Sequence, residues 1–296
     1  MDYRTLGRSG LQVSPLGMGC WAIGGEWQFR NSPAGWGKVD DAESMRTIQT
    51  ALDNGITFFD TAANYGTGHS EEILGKALAG KRDQAVIATK FGFDVDEVAK
   101  VVMNYDDECK VIDNVRAECE RSLRHLKIDT IDLYQLHVWD FSTEFVPAVL
   151  DELEALVREG KIRYYGWSTD DADAARIFAQ GEHCVAIQHD LNVVKHAPAM
   201  LALCEELNLA SVNRSPLARG ALTGKYTIDT TFDKNDVRND TWSHDTFFVP
   251  VFEKLDALRD ILTSDGRTLT QGALAWIWGR SEKTVPIPGI RTVKQA

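Results

Sequence analysis

Eight short apolar segments, most followed by an amphipathic helical pattern, predict an α/β chain folded as a (β/α)8 TIM barrel with an N-terminal β-hairpin. Two further observations agree. The segments are continuously apolar, as parallel strands covered on both faces are. No G-x-G-x-x-G follows the first of them, which weakens the alternative of a doubly wound open sheet. A length of 296 residues permits one barrel or two smaller domains, but no interdomain linker stands out, and 1–296 reads as a single domain.

The opening YRTLGRSGLQVSPLGMG reads as a hairpin turned at Gly7-Arg8-Ser9-Gly10 and leading into the first strand. Strands are expected at 15–19, 56–60, 85–90, 131–137, 163–168, 185–190, 209–215 and 284–288. Asp40, with Glu43 three residues on, resembles a capping box before a helix whose face carries Met45, Ile48 and Leu52. Ile112, Val115, Cys119, Leu123 and Leu126 mark another helix. Val149, Leu153 and Leu156 mark a third, stopped at Glu159-Gly160-Lys161, and Leu255, Leu258 and Leu262 belong to a later one. The polar stretch Thr227–Pro250 is a candidate active-site loop with little regular structure. The closing C-terminal helix reads as incomplete, because it is expected to continue where the sequence stops at Ala296.

A net charge of −12 disfavours nucleic acid and anionic membrane surfaces, both of which need basic patches. The odd set Cys20, Cys109, Cys119, Cys184 and Cys204 contains no C-x-x-C pair, and the histidines show no metal-ligand spacing. No apolar run reaches about 18 residues and no signal-peptide core opens the chain, so a soluble, cytoplasmic protein acting on a small molecule is expected.

The stretch FFDTAANYG (58–66) is chemically unusual. An aspartate beside two strand phenylalanines is costly to bury unless something pairs with it. In a barrel, active groups sit at the C-terminal strand ends. Those ends carry Asp60, Lys90 and His137, with Tyr65 in the loop after Asp60. Singly, each is as readily structural as functional; together they converge on one rim. Lys90 pairs with Asp60 and is expected to lower the phenol of Tyr65 from about 10. His137 orients a substrate oxygen and Tyr65 protonates it. No side chain supplies hydride, so a nicotinamide cofactor is implied.

Together and in order, FFDTAANYGTGHSEEILGKAL, VIATKFG, DLYQLH, SPLARGALTGKY and VPIPGIRTVKQ resemble the aldo-keto reductases, across essentially the whole chain. The resemblance implies a (β/α)8 barrel with an N-terminal hairpin and NADPH-dependent carbonyl reduction. It maps a catalytic tetrad onto Asp60, Tyr65, Lys90 and His137, with Tyr65 the proton donor. It places the nicotinamide carboxamide on Ser168, Thr169 and Gln188; the family usually has Asn at Thr169, and a hydroxyl replaces only one of two amide hydrogen bonds. It assigns the loop 215–225, through Ser215, Pro216, Leu217, Gly220, Leu222 and Lys225, to the pyrophosphate. Arg214 stands where many relatives carry a stacking aromatic. A guanidinium plane also stacks, and its charge is expected to favour the reduced cofactor. Gly289, Arg291 and Gln295, with Thr292 and Lys294, fall at the site of the adenosine 2′-phosphate and adenine, which implies NADPH over NADH.

Trp21 borders both the cofactor and the substrate. Trp27, Phe91 and Trp139, with Phe29, Trp36 and Phe93, are the expected apolar wall for a small carbonyl or alcohol substrate. Specificity is expected in HVWD and in the 227–250 loop. The competing readings are an NADPH-binding regulatory or redox-sensor protein on the same barrel, and a Lys90 Schiff-base enzyme.

Overall fold

The structure, a computed structural model, describes residues 2–239, 242 and 248–296. Eight parallel strands lie in the order of the chain: β1 (Gly17–Gly19), β2 (Phe58–Asp60), β3 (Val86–Phe91), β4 (Ile131–Leu136), β5 (Ile162–Ser168), β6 (Cys184–Asp190), β7 (Ala210–Arg214) and β8 (Thr284–Pro286). The ring closes where Gly19 meets Gly289 in a parallel bridge and the Gly19 N–H donates to Pro288 O at 2.9 Å. A Cβ on Gly19 would sit 2.6 Å from Ile287 O, so this approach demands glycine. The sequence-derived strands all form, with ends shifted by no more than two residues.

The helices are α1 (Asp41–Asp53), α2 (His69–Ala77), α3 (Glu108–Leu126), α4 (Val146–Arg158), α5 (Ala172–Phe178), α6 (Pro198–Glu206), α7 (Phe248–Leu262) and α8 (Leu269–Trp278). Asp40 caps α1 by accepting from the N–H groups of Ala42 and Glu43. The expected capping box is not completed there. Glu43 Oε1 instead accepts the Val293 N–H at 3.0 Å, tying α1 to the chain after β8. The reciprocal box occurs at α8, between Thr268 and Gln271.

Two apolar layers result. Outside the ring, Ile48, Ile73, Val115, Leu153 and Trp167 bury the helices against the strands. Inside it, Phe58, Ala88, Leu133, Ala186 and Val212 fill the barrel, with Leu6 and Val13 from the hairpin plugging its base. That hairpin pairs Arg4–Thr5 with Gln12–Val13, and its Arg8 donates to the carbonyls of Ala179, Gly181 and Cys184.

One element was not expected. The loops after β1 and β3 pair into a four-stranded sheet at the barrel mouth, from Gln28–Phe29, Ser32–Pro33, Phe93–Asp96 and Val101–Asn104. Its buried face carries Trp27, Ala34, Phe93, Val95 and Val102. Within the loop expected at 227–250, the described residues 227–239 form no helix or strand beyond a bridge from Asp236 to Trp36; 240, 241 and 243–247 lie outside the described residues. Among the described residues, no helix is long and apolar enough to cross a membrane.

Candidate active site

Strand alternation aims Asp60, Lys90 and Gln188 into the barrel mouth, where they meet. Lys90 Nζ donates to Asp60 Oδ1 at 2.6 Å and to Thr61 O at 2.7 Å, and lies 3.5 Å from the Tyr65 hydroxyl. The other oxygen, Asp60 Oδ2, accepts from Gln135 Nε2 at 3.1 Å and Gln188 Nε2 at 2.8 Å. Asp60 and Lys90 are each 1% exposed, and these bonds offset the cost of burying them. Gln135 is the member that the sequence reading missed. It stands two residues from both Leu133 and His137, on the same inward face of β4, and that period was the available signal.

Burial pushes the Lys90 ammonium down, but Asp60 and the adjacent Tyr65 more than offset it, so its pKa stands above the ordinary 10.5 and the cation persists. Burial raises the Tyr65 phenol above its ordinary 10.0. Lys90 pulls it down without overcoming burial, which reverses the expected lowering. Tyr65 therefore stays protonated across neutral pH, as a proton donor requires. Burial, reinforced by Lys90 and Arg214, holds His137 well below its ordinary 6.5. The result is a neutral imidazole whose buried Nδ1 has no partner.

The Tyr65 loop is fixed from behind. Gly66 has φ +63°, and a Cβ there would fall 1.8 Å from Gly24 O, so the loops after β1 and β2 touch backbone to backbone. The Trp21 ring stacks on Tyr65 at 5.9 Å, and its indole N–H donates to Ala34 O. His137 sets its ring edge-on to Tyr65 at 5.9 Å and to Phe93 at 5.5 Å. Trp36 meets Trp21 edge-on at 5.2 Å. Trp27 is buried in the same aromatic wall, its indole N–H without a partner.

Phe91 does not join that wall. It follows Lys90 on the strand, so alternation turns it outward, where it stacks on Tyr134 at 4.6 Å in the helix layer. Phe93 takes the place expected of it. Trp139 lies on the rim, 54% exposed.

On the expected cofactor side, Ser168, Thr169 and Gln188 are buried at the ends of β5 and β6. Thr169 Oγ1 donates to Trp139 O at 2.8 Å and accepts the Asp171 N–H, so its donor is used within the fold. The Gln188 amide nitrogen is turned to Asp60. Arg214 lies 2.9 Å from both Asp170 and Asp190. In the loop after β7, Ser215 has φ of +51°, and Ala218, Arg219 and Gly220 follow in the left-handed region at +46°, +51° and +100°. Pro216 and Leu217 lie within this loop, and Leu222 is buried beneath it against Phe248 and Val251. Lys225 is exposed, its ammonium over the Tyr226 ring. At the other end, Gly289 forms the barrel-closing bridge to Gly19. The Arg291 guanidinium donates to Trp36 O at 2.9 Å and to Lys38 O. Gln295 folds back, accepting the N–H groups of Arg291 and Thr292 at 2.8 and 3.1 Å.

This barrel, with Tyr65 beside a buried lysine–aspartate pair, agrees with what the chain matches. Residues 15–296 match the aldo/keto reductase family, and the chain belongs to that family of oxidoreductases. Aldo-keto reductase YhdN of Bacillus subtilis is 33% identical over 98% of this chain and 85% of its own length. Aldo-keto reductase yakc [NADP(+)] of Schizosaccharomyces pombe is 29% identical over 95% of this chain and 81% of its own. The glycerol dehydrogenase AKR11B4 of Gluconobacter oxydans superposes with a TM-score of 0.83 at 34% identity, covering 99% of this chain and 88% of its own.

Proposed function

We propose that this chain reduces an aldehyde or ketone to an alcohol with NADPH, reversibly, with Tyr65 as proton donor. One observation carries the reading: a protonated phenol stands 3.5 Å from a buried ammonium that Asp60 holds at 2.6 Å, under an aromatic wall. The residues fit a nicotinamide dinucleotide. The left-handed stretch 218–220, with Ser215 before it, is the kind of backbone that lines an anion-binding concavity, and Gly220 leaves room where a Cβ would press on Tyr226 at 3.0 Å. Arg291 supplies a forked cation at the other end, held by main-chain carbonyls rather than by a competing carboxylate.

Ser168, Gln188, the 215–225 loop and Arg291 would hold NADPH, whose nicotinamide would supply the hydride when bound. The protein contributes the proton and the geometry. Tyr65 donates its hydroxyl proton to the carbonyl oxygen. Lys90 stabilises the phenolate left behind, offsetting part of the cost that burial imposes on it. Asp60 keeps Lys90 charged and in place. The neutral His137 donates a hydrogen bond to the same oxygen without competing for the proton. Trp21, Trp27 and Phe93 exclude water.

The test follows loss of reduced nicotinamide near about 340 nm with a panel of aldehydes and ketones, short hydroxy-carbonyls included because a structural neighbour is a glycerol dehydrogenase. Turnover should fall about 10²–10⁴-fold in Tyr65→Phe with NADPH affinity retained. Tight NADPH binding without turnover on any substrate would overturn the reductase reading in favour of a dinucleotide-binding regulatory protein.

A further inference from the structure

Arg214 ends β7, and three charged side chains close around it. Its Nη1 lies 2.9 Å from Asp190 Oδ1 and its Nη2 2.9 Å from Asp170 Oδ1. Lys195 Nζ reaches the remaining oxygens, 2.6 Å from Asp190 Oδ2 and 2.9 Å from Asp170 Oδ2. Each carboxylate oxygen thus faces one cation, and the quartet sums to zero. Asp170 Oδ1 also accepts the Asp190 N–H at 2.9 Å, so the ends of β5, β6 and β7 are laced together. Asn192, from the same loop as Lys195, donates to Ser215 O at 3.1 Å and ties the quartet to the loop after β7.

A lone guanidinium facing a nicotinamide would disfavour the oxidised ring, which carries a positive charge. A guanidinium already matched by two carboxylates would not. We propose that Asp170, Asp190 and Lys195 are positioning residues that hold Arg214 in place and cancel its charge, so that the dinucleotide site tolerates both redox forms. The inference rests on the NADPH reading, and it revises the expectation that Arg214 by itself favours the reduced cofactor. The quartet is partly shielded: Asp190 is 14% and Arg214 31% exposed. One uncompensated charge a few ångströms from the ring, at an intermediate effective dielectric, changes the ratio of the two affinities on the order of tenfold.

The experiment measures Kd for NADP⁺ and for NADPH by quenching of tryptophan fluorescence at low salt. The proteins are the wild type, Asp190→Asn, Lys195→Met and the double variant. Asp190→Asn leaves the quartet at +1, and Kd(NADP⁺)/Kd(NADPH) should rise about tenfold. Lys195→Met leaves it at −1, and the ratio should move the opposite way. The double variant is neutral again and should return to near the wild-type ratio. A merely structural role produces neither opposite signs nor cancellation. An unmoved ratio in all the variants, or a shift of the same sign in both single variants, overturns the proposal while leaving NADPH binding intact. A wild type that binds neither dinucleotide overturns the NADPH reading and this inference with it.

Discussion

Replacing Lys90 by methionine keeps most of the side-chain stem and removes the ammonium. Asp60 then loses its 2.6 Å partner and Thr61 O its 2.7 Å donor, in a site where the Asp60 and Lys90 side chains are at most 2% exposed. Breaking one side of a buried pair costs about 3–5 kcal/mol, and an unfilled buried carbonyl about 1–3 kcal/mol. The two figures overlap, because one atom serves both partners, and Gln135 and Gln188 still hold Asp60 Oδ2. The net loss should be about 4 kcal/mol, or roughly 8 °C in Tm for a chain of this size. Urea unfolding followed by circular dichroism measures it, in a cycle with Asp60→Asn and the double variant. The double variant should lose less than the sum of the singles by about 2 kcal/mol, since each single strands one buried partner. A Lys90→Met loss under about 1 kcal/mol, or strict additivity, would refute the claim that the lysine is what makes a buried Asp60 tolerable.

Glu118, buried on α3, accepts the Gly92 N–H at 3.1 Å and the Tyr105 hydroxyl at 3.1 Å, and burial pushes its carboxyl up to about 7 from 4.5. The folded state therefore binds this proton more tightly than the unfolded chain does. Stability falls as pH rises from about 4.5 through about 7, by about 3 kcal/mol, and Glu118→Gln should flatten that dependence in urea midpoints taken across the range. Gly66→Ala should cost more than about 3 kcal/mol and depress turnover through Tyr65, because the new Cβ would lie 1.8 Å from Gly24 O; thermal melts and steady-state kinetics read both effects. Arg238 pairs with Asp236 at 2.7 Å inside a cage of Trp36, Tyr226, Phe232 and Trp242. Arg238→Met leaves that aspartate buried and unmatched, and calorimetry should show a loss of about 3 kcal/mol.

The barrel was legible because most of its strands are short, largely apolar segments, a pattern that survives in sequence without knowledge of neighbours. Asp60, Lys90 and His137 were legible as strand-end residues for the same reason. The end of a strand is marked in the sequence by the polar residue that closes an apolar segment, whereas the face each residue takes depends on the strand's register in the ring. That is why Phe91 was expected in the pocket and Gln135 was overlooked. The mouth sheet was hidden by the shortness of its strands, two of which span only two residues, Gln28–Phe29 and Ser32–Pro33. The Arg214 partners were invisible for another reason. Asp170 follows β5 and Asp190 ends β6, and only the sheet's strand order brings β5 and β7 to either side of β6.

That mouth sheet has a consequence for anyone who would re-engineer the pocket. Gln28 and Phe29, from the loop after β1, pair in parallel with Val101 and Val102 from the loop after β3, and the N–H groups of Gln28 and Arg30 donate to Lys100 O and Val102 O. Phe29 also meets Phe93 edge-on. The two loops share one ladder and one apolar face, so neither is an independent module. Grafting a foreign loop at one position leaves the other with unpaired strand edges and a mismatched ring. Swaps intended to alter substrate range should move residues 27–34 and 93–104 as a matched pair.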